Sequence, residues 1–411
     1  MSFSRICIFL GLCLWTPSLF ALSPQFFACQ VQKPASQSPL CGCPTGTIFV
    51  SASDKRAQFT TIQAAIKSLP ATGQATILIG QGVYNEIVNV TRTAPVTLLG
   101  QLPASAVLAA KPFANASSPD LNLVQVFGSV FDKTGQDDET TAVLVVAPNL
   151  ASSLIGAGTD GAPLQPSFGN VDFKAYNIDF QNRAANFAIA QALVTDISYS
   201  NASFYGCTFA SYQDTWYTGR NASTYVVDSV IFGQTDYLFG FGTAWFQNVI
   251  LANRACGGGI VAWKGNNQTF APGNRYGAYI ASSTIMRARI GQPSSLTRSD
   301  RSEQSPDANA TTVTNGKCAL GRPWNDHATT VYLSTFMDES INPIGFIPFS
   351  SSRPTIMNTT YYAEFNSTGP GGNTKSRVGI EHILTASQVS NFTVDGVFLE
   401  HPKWIDFNYI F

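Results

Sequence analysis

Two aspartates, Asp214 and Asp236, stand 22 residues apart, each set among amide and aromatic residues: Gln213-Asp214-Thr215-Trp216-Tyr217 and Asp236-Tyr237-Leu238-Phe239-Gly240. Two carboxyl groups held close together cannot both ionise cheaply, so their protonation splits. One becomes available as a proton donor and the other as an anionic nucleophile or base. Such a pair can do acid–base or covalent chemistry without histidine. The chain has three histidines, His327, His382 and His401, and no Gly-x-Ser-x-Gly elbow, so a serine hydrolase could be built only on His327. A His-Glu-x-x-His helix, paired Cys/His spacing, a P-loop and a dinucleotide fingerprint are all absent, so no metal and no cofactor is expected. The competing account of the two aspartates is a structural one, since Asp at strand ends often bonds its own backbone in a turn.

The elements that must hold them are short strands. From about residue 170 the segments Ala175–Phe180, Phe204–Phe209, Val226–Ile231, Phe246–Leu251, Ile280–Ile285 and Leu333–Met337 repeat one pattern. A compact or amide residue (Asn177, Gly206, Asp228, Asn248, Ser282) precedes a bulky apolar one (Phe180, Phe209, Ile231, Leu251, Ile285). The bulky positions are 29, 22, 20 and 34 residues apart, the signature of a solenoid whose equivalent side chains stack coil upon coil. A β-sandwich would instead need hairpin signals every 8–12 residues or so, and few are present. One coil displaces a residue by about 4.8 Å. The Asp214–Asp236 spacing equals the Phe209–Ile231 interval, so the two carboxyl groups fall side by side on one outer face. Upstream, the apolar spacing predicts a helix over Thr60–Leu69 and strands over Ala75–Gly80, Val83–Val90 and Val96–Leu99. The polar stretches 102–170 and 290–316 read as long excursions framing a groove.

Composition agrees with that architecture. Only 12% of the 411 residues are charged, against roughly 25% in ordinary soluble domains, which disfavours extensive helical surfaces. The net charge of −1, with no basic block, disfavours nucleic acid and anionic membrane as partners. Residues 1–21 carry Arg5, an apolar run and small residues near Ala21, the pattern of a secretory signal too short to span a membrane. Nine Asn-x-Ser/Thr sequons, at Asn89, Asn115, Asn201, Asn221, Asn267, Asn309, Asn358, Asn366 and Asn391, fit an extracellular glycoprotein. Six cysteines follow the signal, an even number suited to disulfides, although Cys207 also reads as a buried free thiol. The cluster Cys29, Cys41, Cys43 admits a metal as the minor alternative. The expected organisation is a signal over 1–21, a lead-in over 22–45 and one domain over 46–411.

The two aspartate blocks resemble, with three others, the signature blocks of the pectin methylesterases. The others are Gly82-Val83-Tyr84-Asn85-Glu86, Gln191-Ala192-Leu193 and Leu320-Gly321-Arg322-Pro323-Trp324; order and spacing match over about residues 46–405. The resemblance implies an all-β, right-handed parallel β-helix with long loops framing a substrate groove. It implies hydrolysis of the C6 methyl esters of galacturonate in pectin (homogalacturonan), with methanol as product. Asp236 would be the nucleophile, Asp214 the general acid and then base, Gln191 and Gln213 the oxyanion donors, and Arg322 the partner orienting Asp236. Tyr217, Phe239 and Trp324 would face sugar rings or, alternatively, pack in the core.

The match has departures. Val261-Ala262-Trp263 stands where the family usually has Thr-Ala-Gln, and Trp263 is read as a sugar platform. Cys256 and Cys318 are expected to pair. The short lead-in and longer loops resemble fungal or insect members, and a capped solenoid of this kind is compatible with a monomer. The rivals are a non-catalytic pectin-binding homologue and an esterase or thioesterase acting on another substrate. A pectate lyase would need clustered acids for calcium, and a polygalacturonase an Asp-Asp pair with Gly-His-Gly.

Overall fold

Small and β-branched residues in three- to five-residue runs, broken by compact turn residues, fold here as coils of three strands. The computed structural model describes residues 23–106, 118–265, 275–288 and 314–409. The signal segment, Asn115, Asn267, Asn309 and residues 290–313 of the second loop lie outside the described residues. One coil runs Asn201–Tyr205, Thr208–Ala210, Trp216–Thr218, and the next Ser223–Val227, Val230–Thr235, Leu238–Gly240. Their strands build parallel sheets of eleven, eight and seven strands among the described residues, the three faces of a parallel β-helix.

The repeat read from sequence is the corner between the eleven- and eight-stranded sheets. Phe180 pairs with Phe209, Phe209 with Ile231, Ile231 with Leu251, Leu251 with Ile285, and Ile285 with Met337. The compact residues ahead of them sit in the left-handed backbone region: Asn177 (φ 54°), Gly206 (59°), Asp228 (49°), Asn248 (50°) and Ser282 (47°). Only Gly, and more rarely Asn or Asp, adopts this conformation readily, which is why four of these five positions carry those residue types. Between corners the bulky side chains stack inward, as with Phe180 on Phe209 at 5.8 Å between centroids.

The upstream elements need two corrections. The helix spans Ile62–Ser68, capped by Thr61, whose hydroxyl accepts from Ala64 N; the Glu86 carboxylate accepts from Ile62 N and Gln63 N, both at 2.9 Å. The expected strand Val83–Val90 is two strands, Gly82–Asn85 and Val88–Val90, because the chain turns a corner at Glu86 from the eight- to the seven-stranded sheet. The stretch 102–170 is not wholly an excursion. It contributes Val124–Gly128 and Leu144–Val146, strands too short to show a pattern among polar connectors. Cys29 and Cys43 form a disulfide in the lead-in, which leaves no thiolate set for a metal there; Cys41 and Cys207 are free, Cys207 buried. No helix of the described residues is long and apolar enough to cross a membrane.

Candidate active site

The same left-handed turn recurs where chain passes from the eight- to the seven-stranded sheet. Asp214 (φ 60°), Asp236 (φ 48°) and Gly258 (φ 57°) occupy it on successive coils. Backbone bonds join the rungs: Asp214 N donates to Thr235 O at 3.1 Å and Asp236 N to Gly259 O at 2.7 Å. The strands that follow pair Trp216 with Leu238, so the two aspartates, each two residues earlier, are laterally adjacent. The third rung has to be glycine, since a Cβ there would lie 2.7 Å from Asp236 Oδ1 and 3.0 Å from Arg322 Cζ. Gly258 continues the same 22-residue spacing from Asp214 and Asp236, a signal for this rung that is present in the sequence.

Arg322 reaches Asp236 from the strand Ala319–Pro323. Its Nε donates to Oδ1 at 2.9 Å and to Oδ2 at 3.2 Å, and Nη2 adds a bond to Oδ2. Gly259 N donates to Oδ1 at 3.0 Å. Such charge-assisted bonds match a carboxylate anion and fix its orientation. The guanidinium is backed in turn by Phe349, whose carbonyl accepts Nη1 at 2.6 Å and whose ring lies 4.6 Å from Cζ. A Cys256–Cys318 disulfide, the pair expected from sequence, ties the segment before Gly258 to the strand bearing Arg322. Phe349 lies in a loop without a pattern of its own, and nothing in the sequence pointed to it.

Asp214 has the opposite surroundings. It is 8% exposed, and its Oδ1 has no hydrogen-bond partner. Burial first, then the charges of Asp236 and Asp138, push its carboxyl well above the usual carboxylate range, against a lowering pull from Arg322. An acid whose burial favours its neutral form therefore sits beside a carboxylate gripped by an arginine. Gln191 and Gln213 are half-buried on adjoining positions: Ala192 N donates to Gln213 O at 3.1 Å, so their coils are neighbours at the aspartates.

The aromatic residues divide by strand parity. Asp196, Tyr217, Phe239, Ala262 and Arg322 form one outward row across the seven-stranded sheet. Trp263 is one residue beyond Ala262 and so points inward, pairing with Gly240 and Pro323. It is fully buried and its Nε1 donates to Gly242 O at 3.0 Å. The expectation that Trp263 is a sugar platform is therefore corrected: it is core, and Gly240 makes room for it, since a Cβ there would meet the indole at 2.7 Å. Tyr217 and Phe239, 3% and 2% exposed, also differ from the open faces expected. Their rings, 4.7 Å apart, are covered by Ile155, Leu193 and Trp324 in a small cluster outside the coil. Trp324 keeps partial exposure and is the aromatic residue left at the rim. Beneath it, Lys264 Nζ lies 3.4 Å from the ring centroid, its pKa lowered to about 7 by burial and by Arg220. Among the described residues no group of three or more His, Cys, Asp or Glu side chains could hold a metal.

The sequence model of the pectinesterase family matches residues 166–401. The chain belongs to that family. Its relatives include the probable pectinesterase/pectinesterase inhibitor 46 of Arabidopsis thaliana, 30% identical over 278 residues, which cover 64% of this chain and 44% of the relative. Pectinesterase 2 of Citrus sinensis is 33% identical over 243 residues, 57% of this chain and 42% of the relative. The chain thus spans about half the length of the curated relatives it matches. Among solved structures, the pectin methylesterase of Aspergillus niger superposes with a TM-score of 0.66 at 21% identity, covering 89% of this chain and 98% of the other. That of carrot gives 0.61 at 21% identity, covering 86% and 92%. At such identity these likenesses establish the fold.

Proposed function

We propose that this chain is a secreted pectin methylesterase that hydrolyses the C6 methyl esters of galacturonate in homogalacturonan, releasing methanol and free carboxylate. The observation that carries the reading is the contrast between Asp236, gripped by Arg322, and Asp214, buried, unpartnered at Oδ1 and raised in pKa. Family membership favours the ester over other substrates. A pectin methylesterase of the same fold, with a TM-score of 0.60 to this chain, has been solved with a hexasaccharide, which supports an extended polysaccharide as ligand.

In this reading an Asp236 oxygen attacks the ester carbonyl. The tetrahedral oxyanion accepts amide N–H bonds from Gln191 and Gln213, each worth about 2.7–4 kcal/mol in comparable holes. Collapse breaks the bond to methoxide, which leaves as methanol with the Asp214 proton, and an acyl anhydride remains on Asp236. Asp214, now a carboxylate, takes a proton from water as the water attacks the anhydride. Galacturonate departs, Asp236 is regenerated and Asp214 again holds its proton. Arg322 keeps Asp236 oriented throughout. Trp324 offers its exposed edge to a sugar ring, while Tyr217 and Phe239 support the wall behind it.

The leader-like pattern at 1–21, the sequons and the disulfides support secretion, and family membership supports cell-wall pectin as the substrate. The test is methanol release from highly methylated pectin by the folded protein. Stoichiometric methanol and acid are expected; their absence would favour a non-catalytic pectin-binding protein, and release from other esters alone would favour a different esterase.

A further inference from the structure

The strands Gly259–Trp263 and Ala319–Pro323 pair with Ala262 beside Arg322 and Trp263 beside Pro323. The ladder runs on past both ends: Lys264 N donates to Gly240 O at 2.8 Å, and Trp324 N to Trp263 O at 3.0 Å. Side chains alternate along a strand, so Lys264 and Trp324 fall on the outer row that carries Arg322, two residues beyond it. Their main chains are zipped together. Asn325 Oδ1 accepts from Gly265 N at 2.9 Å, its Nδ2 donates to Gly265 O at 2.7 Å, and Arg353 Nη1 donates to Trp324 O at 2.8 Å.

The indole of Trp324 meets two side chains. The Phe239 ring lies 5.6 Å away between centroids, and Lys264 Nζ sits over one face, 3.4 Å from the ring centroid. Lys264 is only 1% exposed. The loop 156–161 closes over its amine: Asp160 O accepts from Arg220 Nη2 at 2.6 Å, and a Cβ on Gly161 would lie 3.2 Å from Nζ. Among the described residues Lys264 makes no ion pair, and its charge is met by the indole face. An ammonium is attracted to an aromatic face by the ring quadrupole, most strongly where water is excluded. A neutral amine has no such attraction.

Resting on the esterase reading above and on Trp324 as its sugar-facing residue, we infer that Lys264 is a positioning residue: its ammonium seats the Trp324 indole in the orientation that receives the polysaccharide, and loss of its proton releases the ring. The groups facing the amine are Arg220, ahead of the strand Ser223–Val227, Asp160 on the covering loop, and Asp137 and Asp138 on the turn before the strand Leu144–Val146. Burial first, then Arg220, lower the Lys264 pKa to about 7, against the three carboxylates. Lys264 is therefore charged below that pH and neutral above it. Free galacturonate is ionised on both sides, as simple carboxylic acids are above about pH 4, so the charge of the polysaccharide is constant across the window. The seated fraction of the ring should fall as pH rises, and KM should rise with it by roughly 2- to 10-fold.

The experiment measures kcat and KM for methanol release from highly methylated pectin on either side of the Lys264 value, at about pH 5.5 and about pH 8.5. The proteins are the wild type, Lys264→Met, Lys264→Arg and Trp324→Ala. Wild-type KM should rise roughly 2- to 10-fold over that range, with the pH course of kcat shared by Lys264→Met. KM should be high and flat in Lys264→Met, and low and flat in Lys264→Arg, whose guanidinium stays charged. A wild-type KM without the rise would overturn the inference, as would a rise that persists in Lys264→Met or in Trp324→Ala, where no ring is left to seat. A second readout needs no turnover. Tryptophan emission of the wild type should show a transition near pH 7 that is missing from both Lys264→Met and Trp324→Phe. Emission without that transition in the wild type, or with it in either variant, would overturn the inference. A folded wild type that shows the transition and releases no methanol would instead overturn the esterase reading.

Discussion

Asp228 and Asp236 sit in the same backbone conformation, with φ of 49° and 48°, on corners of the same coil, yet only one is a candidate for chemistry. Asp228 belongs to the ladder between the eleven- and eight-stranded sheets. The C-terminal segment covers that corner, and Tyr409 Oη donates to Asp228 Oδ2 at 2.9 Å. Asp236 belongs to the ladder between the eight- and seven-stranded sheets, where it is met by a guanidinium and a neighbouring acid. A left-handed aspartate is thus a feature of how a coil turns, and what the corner faces decides whether its carboxyl is spent on structure or left available. The two ladders also differ on the coils beyond these aspartates. Asn and Ser suffice where a corner is simply closed, whereas Gly258 is imposed by the Asp236–Arg322 pair packed against it.

That contrast predicts unequal costs. Asp236→Asn should lower methanol release by at least about 10³-fold in a protein that still folds, because it replaces the nucleophilic carboxylate with a neutral amide of the same shape. Asp214→Asn should cost about 10²- to 10⁴-fold, the range of a lost general acid. It should also change the pH course of stability. The folded-state carboxyl of Asp214 is raised above its unfolded value near 4, so folding takes up a proton. That contribution is complete below about pH 4 and is lost as pH rises toward the folded-state value. Thermal unfolding from about pH 4 to 8 should therefore show a shallower alkaline decline in the variant than in the wild type. Next, Trp263→Ala should destabilise the fold by about 3–5 kcal/mol, as for a large buried side chain. Trp324→Ala should instead raise KM several-fold with Tm nearly kept. Equal effects of the two tryptophans on KM would undo the inward assignment of Trp263.

The sequence disclosed what repeats and obscured what does not. The stacked Phe180–Phe209–Ile231–Leu251–Ile285 column and the left-handed positions ahead of it were visible because each coil needs the same residue types at the same place. The Asp214–Asp236 adjacency followed from an interval shared with that column. Trp263 was misassigned because a one-residue shift along a strand reverses the face, and motif comparison does not count parity. Val124–Gly128 was hidden by brevity. Asp138, Lys264 and Phe349 come to the site from loops and strand ends, and their approach depends on how distant segments close over the coil.

The most direct measurement of the central claim sets Asp236→Asn and Asp228→Asn side by side, reading methanol release from highly methylated pectin together with Tm. The account predicts that Asp236→Asn is folded and inactive. Asp228→Asn should turn over at the wild-type rate with stability reduced by about 1 kcal/mol, the usual worth of a buried hydrogen bond. A folded Asp236→Asn variant that still releases methanol at the wild-type rate would contradict it.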